Sequence, residues 1–154
     1  MTKKLYFIFI ILYTSLLLYW LFFGFGRTPN VEKTVQFVPF TTIYKMFTQV
    51  DDFKYLSVNI IGNIVVFIPF GFLGIEFEKL KKARFLFPIF ILGISTLEFL
   101  QFITKRGYAE IDDVILNTMG VAIGFWVYRF LLKFIKCIGI VKREFPAIFA
   151  ILKR

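Results

Sequence analysis

An uncharged run near the start of the chain most strongly limits how it can fold. Residues 5–26 contain no Asp, Glu, Lys or Arg, and about 22 residues of helix extend roughly 33 Å. That length crosses a hydrocarbon core of about 30 Å. The run is longer than the apolar core of a cleaved signal peptide, which is about 7–15 residues. We therefore expect a retained transmembrane helix at residues 5–26.

Three further apolar segments have the length of membrane spans: residues 56–75, 85–104 and 113–132. Hydrophobic residues make up 58% of the chain and charged residues only 19%, against roughly 45–50% and 25% in soluble domains. A chain of 154 residues cannot bury so much apolar surface in one core. The predicted fold class is all-α: an integral membrane bundle of four transmembrane helices with short interfacial helices, forming one domain over residues 1–154.

The distribution of Lys and Arg predicts the orientation of this bundle. The side that holds both termini and the loop at residues 76–84 carries 13 of the 19 basic residues, with Arg129 snorkelling toward that side. Cytoplasmic loops carry the excess of Lys and Arg in membrane proteins. We therefore expect a multi-pass protein with both termini in the cytoplasm. The net charge of +9 is explained by these flanking residues, so no nucleic-acid partner is expected.

Two segments between or after the spans are expected at the membrane interface. In residues 41–50, the apolar residues Ile43, Phe47 and Val50 have helical spacing, which predicts a short amphipathic helix on the outer face. Residues 133–154 mix short apolar runs with basic residues and contain Pro146. Neither apolar run is long enough to span a membrane, so this segment is predicted to be interfacial and to begin after span four.

Polar side chains lie at a similar depth in three of the predicted spans. With the termini inside, each falls in the outer half of its span, and a short loop with more charge lies directly above them. Ionisable and amide side chains inside spans usually face a bundle interior or a cavity. The candidate ligand-binding residues are Asn59, Asn63, Glu98, Gln101, Arg106, Asp112, Asp113 and Asn117.

This group of residues has two interpretations, which do not exclude each other. In the structural interpretation, the amides and carboxyls join the helices by interhelical hydrogen bonds of about 0.6 kcal/mol each. In the functional interpretation they line a polar pocket open to the extracytoplasmic surface, where Arg106 pairs with an anion and the carboxylates act as acceptors.

Several other kinds of site are disfavoured by the sequence. Histidine is absent, which removes His-based general bases and most zinc or haem sites. The paired acids Asp112 and Asp113 are more typical of a helix N-terminus than of a cation site, so no metal or cofactor is expected. The lone Cys137 allows no intrachain disulfide. Gly120 and Gly124 match the GxxxG pattern, which permits close helix packing.

The residues that carry this argument also resemble a known family, the VanZ-like family of small bacterial membrane proteins. The resemblance covers roughly residues 37–125. It rests on Phe37-Val-Pro-Phe40, Asn59-Ile-Ile-Gly-Asn63, Phe67-Ile-Pro-Phe-Gly71, Glu98-x-x-Gln101, Arg106, and the run from Asp112-Asp113 through Asn117 to Gly120. It implies a role at the envelope of a bacterium and a location in its plasma membrane. The family's namesake is associated with reduced susceptibility to the glycopeptide antibiotic teicoplanin, and no catalytic residues are established for the family.

Three functional hypotheses follow. The first is a non-enzymatic envelope protein that binds a lipid-linked cell-wall precursor or a lipoglycopeptide among membrane lipids. The second is a membrane-embedded enzyme that modifies a lipid or wall precursor at the outer leaflet, with Glu98 or Asp113 as general base and Arg106 stabilising negative charge. The third is a small assembly or transport partner that uses the face of Gly120 and Gly124. The sequence does not predict the oligomeric state.

Overall fold

A computed structural model describes residues 3–24, 35–36, 38–41, 44, 48, 53–106 and 109–144, with the side chains of 4–24, 38–41, 44, 48, 60–106 and 109–138. This part of the chain is mostly helical. The α-helices are α1 (Lys3–Phe23), α2 (Phe53–Phe67), α3 (Ala83–Ile103) and α4 (Ile111–Glu144), with 3₁₀ segments at Ile68–Ile75 and Glu78–Lys81.

Among the described residues, two helices are long and apolar enough to cross a membrane, Lys4–Phe23 in α1 and Ala83–Ile103 in α3. Only 11% of the most apolar stretch of α1 and 22% of that of α3 is buried against the rest of the chain. Apolar side chains therefore face outward on both helices, as in a membrane span and unlike the core helix of a soluble protein. The crossings by α2 and α4 stay predictions.

The second predicted span changes helix type at its proline. The α-helical part ends at Phe67, and Pro69 lies in the first turn of the 3₁₀ segment that follows. Proline has no N–H, so it removes one backbone donor from this turn. The hydroxyl of Tyr13 donates to the carbonyl of Val66 at 2.7 Å, and that of Tyr6 donates to the carbonyl of Pro69 at 3.0 Å. These two bonds attach α1 to the second span.

Close packing of α4 against the second span depends on glycines. A Cβ at Gly120 would overlap the carbonyl oxygen of Ile64, and one at Gly124 would overlap that of Ile68. A Cβ at Gly71 would overlap the backbone of Gly124. The GxxxG face is therefore occupied within the chain, which contradicts its use by a separate partner.

The buried core lies between all four helices and includes residues next to these glycines. It is formed by Leu17, Phe67, Leu86, Ile94, Val121 and Phe125. Core residues thus come from α1, α2, α3 and α4. The loop before α3 is closed by an ion pair of 2.5 Å between Lys81 and Glu78, and the hydrogen bond that Lys81 donates to Glu78 raises the pKa of Lys81.

Two features differ from the predicted elements. First, α4 does not end near residue 132 but continues to Glu144, because no proline interrupts the chain before Pro146. Second, the chain is not wholly α-helical: β1 (Val35–Gln36) pairs in parallel with β2 (Ala109–Glu110). In the predicted outer helix, the described residues Thr41, Tyr44 and Thr48 are helical, while Ile43, Phe47 and Val50 lie outside the described residues.

Candidate functional site

A hydrogen bond between two of the candidate residues joins the second span to α4. The amide nitrogen Nδ2 of Asn63 donates to Oδ1 of Asp113 at 2.8 Å. Asp113 lies in the first turn of α4, where the helix dipole also favours a negative charge. An interhelical hydrogen bond of the kind that the structural interpretation predicted is thus present between these two residues.

The neighbouring carboxylate, Asp112, instead binds the loop between α1 and α2. Its side chain is 1% exposed, and its Oδ1 accepts the backbone N–H of Phe40 at 2.5 Å. Phe40 has a φ of 65°, a left-handed conformation that costs a non-glycine residue roughly 1–2 kcal/mol. The β1–β2 pair precedes both residues in their respective segments. The carboxylate of Asp112 therefore holds the Val38–Pro39–Phe40 turn against the start of α4.

Gln101 and Arg106 are brought together by the end of α3. The backbone N–H of Arg106 donates to the carbonyl of Gln101 at 2.9 Å, and that of Lys105 donates to the carbonyl of Phe102 at 3.2 Å. Lys105 has a φ of 58°. These are the two bonds and the left-handed residue of a Schellman motif. The turn directs both functional side chains toward the end of α1.

There the two side chains cap α1. Nε2 of Gln101 donates to the carbonyl of Leu21 at 3.0 Å, and the guanidinium of Arg106 donates to that of Phe22 at 2.8 Å. The guanidinium also lies 4.5 Å from the centre of the Phe23 ring. Terminal carbonyls of a helix lack intrahelical donors, so a cation and an amide here stabilise α1. The sequence did not predict this role, because every residue has a main-chain carbonyl and the sequence does not show which carbonyls accept a side-chain donor.

Two candidate residues lie deeper. Glu98 is 7% exposed and Asn117 is 3% exposed, one turn below Gln101 and Asp113 respectively. The Oδ1 of Asn117 has no hydrogen-bond partner within the described part of the chain. A buried acceptor without a donor costs about 1–3 kcal/mol. Asn117 is therefore a position where a polar ligand atom or a water would lower the free energy.

The predicted residues thus lie in α2, near the C-terminal end of α3 and near the N-terminal end of α4, but they divide into separate contacts. Asn63 pairs with Asp113, Asp112 binds the loop between α1 and α2, and Gln101 with Arg106 binds α1. Asn59 lies in α2, and its side chain lies outside the described residues. Within the described residues, no group of three or more Cys, Asp or Glu side chains is close enough to hold a metal ion.

Comparison with known proteins identifies the family. The family description VanZ/LLP1 matches residues 7–133. The chain is 36% identical over 84 residues to Protein VanZ from Enterococcus faecium, an alignment that covers 53% of this chain and 48% of that protein. The chain therefore spans about half the length of this relative. No solved structure matches it. Since the family match covers most of the 154 residues, the chain belongs to the VanZ/LLP1 family.

Proposed function

We propose that the chain crosses the bacterial plasma membrane four times, with both termini in the cytoplasm. The apolar surfaces of α1 and α3 support two crossings. The second span, residues 53–75, combines 15 α-helical and 8 3₁₀ residues, or about 38 Å at 1.5 and 2.0 Å per residue. In α4, residues 114–131 include a single charged residue, Arg129. The length of the second span and the low charge of this part of α4 support the proposal of two further crossings.

In this topology the outer ends of α2, α3 and α4 form the site, and its function is to bind the polar part of an amphipathic envelope ligand. The observation that carries the proposal is the burial of four polar side chains in a chain that is otherwise apolar: Glu98, Gln101, Asp112 and Asn117. Polar groups inside a membrane bundle are costly, and their usual reason is a ligand or ion path.

The chemistry of the site fits a ligand with both anionic and hydrogen-bonding groups. The guanidinium has five N–H donors, so Arg106 can hold the Phe22 carbonyl and an anionic oxygen together. The oxygen of Asn117 accepts a hydroxyl or amide donor. A lipid-linked cell-wall precursor and a lipoglycopeptide of the teicoplanin type both present such groups at the outer leaflet. We therefore propose that binding contributes to reduced susceptibility to such antibiotics.

The test is teicoplanin susceptibility of a bacterial host that expresses the full chain. The variants are Glu98→Gln, Arg106→Gln and Asn117→Leu. The controls are Ser15→Ala and Thr96→Ala, which remove hydroxyls on exposed faces of α1 and α3. We expect the three site variants to lose protection while both controls keep it, at equal amounts of protein in the membrane. Equal protection by all five variants would refute the proposal.

A second measurement separates binding from catalysis. Mass spectrometry of envelope lipids and wall precursors, with and without the chain, reports any product that it forms. We expect the profile to be unchanged. A new product that depends on Glu98 or Asp113 would instead support the enzymatic hypothesis.

A further inference from the structure

An apolar cavity of about 380 Å³ lies between α1, the 3₁₀ segment and α3, separate from the polar site. Its lining is apolar except for Thr14, and the Thr14 hydroxyl is bound to the carbonyl of Ile10 at 2.7 Å. A volume of this size is within the range of ligand pockets, about 300–1,000 Å³. A cavity with apolar walls does not hold ordered water, so a ligand that fills it has to be apolar.

The cavity opens to the surroundings of the bundle. Its base includes buried core residues such as Leu86, Ile94 and Leu17, while Ile89 at its edge is 59% exposed. Gly93 also lines it, and a Cβ added there would meet nothing within 4 Å. Because α1 and α3 are the two apolar helices, this opening faces acyl chains in a membrane.

The dimensions fit one leaflet. Along α3 the lining extends from Leu86 to Leu97, about 16 Å at 1.5 Å per residue. Half of the hydrocarbon core is about 15 Å. The lower end is formed by Leu80, in the loop before α3 and at the opposite end of the bundle from Arg106.

The charge at that lower end favours an anionic headgroup. Leu80 lies between Lys79 and Lys81, and Lys82 and Arg84 follow. Lys81 is bound to Glu78, and Glu76 also lies in this loop, whereas Lys79, Lys82 and Arg84 are exposed. Exposed basic residues are attracted to the anionic surface of a membrane.

From these observations we propose that the cavity binds one acyl chain of an anionic phospholipid whose headgroup contacts Lys79, Lys82 and Arg84. The lipid enters from the leaflet on the side of this loop. This site does not depend on the polar site or on its ligand, and it gives the bundle a structural lipid.

Filling the cavity tests the proposal directly. The full chain is purified in mild detergent with phosphatidylglycerol, and retained lipid is counted by native mass spectrometry. We expect one retained lipid on the wild-type chain and none on Gly93→Phe. Gly62→Phe is the matched control, because Gly62 also has nothing within 4 Å of an added Cβ but does not line the cavity. Equal retention by both variants would overturn the proposal.

The headgroup contact is tested by replacing basic residues with glutamine, which removes the charge and keeps a polar side chain. The triple variant Lys79→Gln, Lys82→Gln and Arg84→Gln should lose phosphatidylglycerol retention. The control variant Lys133→Gln with Lys136→Gln removes two exposed charges from α4 and should keep it. If both variants lose the lipid alike, the contact is a general charge effect and the proposed site is wrong.

The direction of entry is tested on the wild-type chain, which removes any question of misfolding. Vesicles contain phosphatidylglycerol with a photoreactive diazirine either near the carboxyl end or near the methyl end of one acyl chain. We expect the first probe to label residues around Leu80 and Leu86, and the second to label those around Thr14 and Leu97. The reverse order would mean a chain from the other leaflet. Labelling no stronger than around Trp126, which is 68% exposed on α4, would mean ordinary lipid contact. Either result refutes the proposal.

Discussion

Nδ2 of Asn63 donates to Oδ1 of Asp113 across 2.8 Å, which links the second span to the first turn of α4. Both residues were predicted to line a site, and in the structure each also holds a helix in place. Function and stability must therefore be measured separately for the polar residues of this bundle. The first prediction concerns this pair.

We expect Asn63 and Asp113 to be energetically coupled. In a double-mutant cycle with Asn63→Leu and Asp113→Leu, the coupling free energy should be about 0.6 kcal/mol and no more than about 1.7 kcal/mol, the range for interhelical bonds in membranes. Unfolding in detergent, followed by loss of helical signal, measures it. Additive effects of the two changes would show that the bond contributes nothing.

Asp112 should contribute more to stability than Asp113. It is 1% exposed and accepts the N–H of Phe40, so Asp112→Ala leaves this partly buried N–H without its acceptor, at a cost of about 1–3 kcal/mol. Asp112→Asn keeps an acceptor and should cost less. The melting temperatures of the purified variants give this order, and equal melting temperatures for Asp112→Ala and the wild type would contradict it.

Removing the side chain of Phe40, which has a left-handed conformation, is expected not to destabilise the chain, in contrast to Asp112→Ala. Phe40 has a φ of 65° and is 59% exposed. Glycine adopts this conformation without steric cost, and little packing is lost. Phe40→Gly should therefore leave the free energy of unfolding unchanged or raise it by up to about 1 kcal/mol. A marked loss of stability would mean that the Phe40 ring makes a contact worth more than its strain.

Gly120 and Gly124 should tolerate no side chain. Because a Cβ at either position would overlap a carbonyl oxygen of the second span, Gly120→Ala and Gly124→Ala should each destabilise the bundle by about 1–3 kcal/mol. Gly62→Ala and Gly93→Ala have open space and should gain up to about 1 kcal/mol of helix propensity. Thermal unfolding compares the four variants. A change in oligomeric state without loss of stability at Gly120 or Gly124 would favour an intermolecular interface.

Arg106 should not be replaceable by lysine. Its guanidinium donates to the Phe22 carbonyl and lies over the Phe23 ring, and lysine lacks the planar fork that makes both contacts. Arg106→Lys should lower stability by about 0.5–1 kcal/mol, the value of an exposed cation–π contact. Comparing its unfolding with that of Phe23→Leu checks the cause, because a variant that carries both changes should be more stable than the sum of the two single effects predicts. Strictly additive effects would contradict the shared contact.

Sequence reasoning predicted the helices better than their contacts. Uncharged runs gave the positions of α1 and α3 to within a few residues, because the length of an apolar span is a local property. The shared depth of the polar side chains also predicted interhelical hydrogen bonds, but not the particular pairing of Asn63 with Asp113. The predicted end of α4 near residue 132 was wrong, because a basic amphipathic stretch is compatible both with a separate interfacial helix and with a continuation of the span.

The contacts that were missed are non-local or involve the main chain. Pairing of Val35 with Ala109 involves strands of two residues, which carry no periodic pattern. Capping of α1 by Gln101 and Arg106 depends on carbonyls that every residue has. The internal use of Gly120 and Gly124 could not be distinguished from dimerisation, because GxxxG permits close approach of any second helix.

Cysteine labelling tests the four-crossing topology most directly. Cys137 is exposed in α4 and is the single cysteine of the chain, so the wild-type protein reports on one side. Tyr44, which is 68% exposed, reports on the other as Tyr44→Cys with Cys137→Ser. Lys79, which is exposed in the loop before α3, reports on the crossing by the second span as Lys79→Cys with Cys137→Ser, because this loop would lie outside if only α1 and α3 crossed. In intact cells, a membrane-impermeant maleimide should label Tyr44→Cys, whereas Lys79→Cys and Cys137 should react only after permeabilisation. Labelling of Lys79→Cys or Cys137 from outside would contradict the topology and the site built on it.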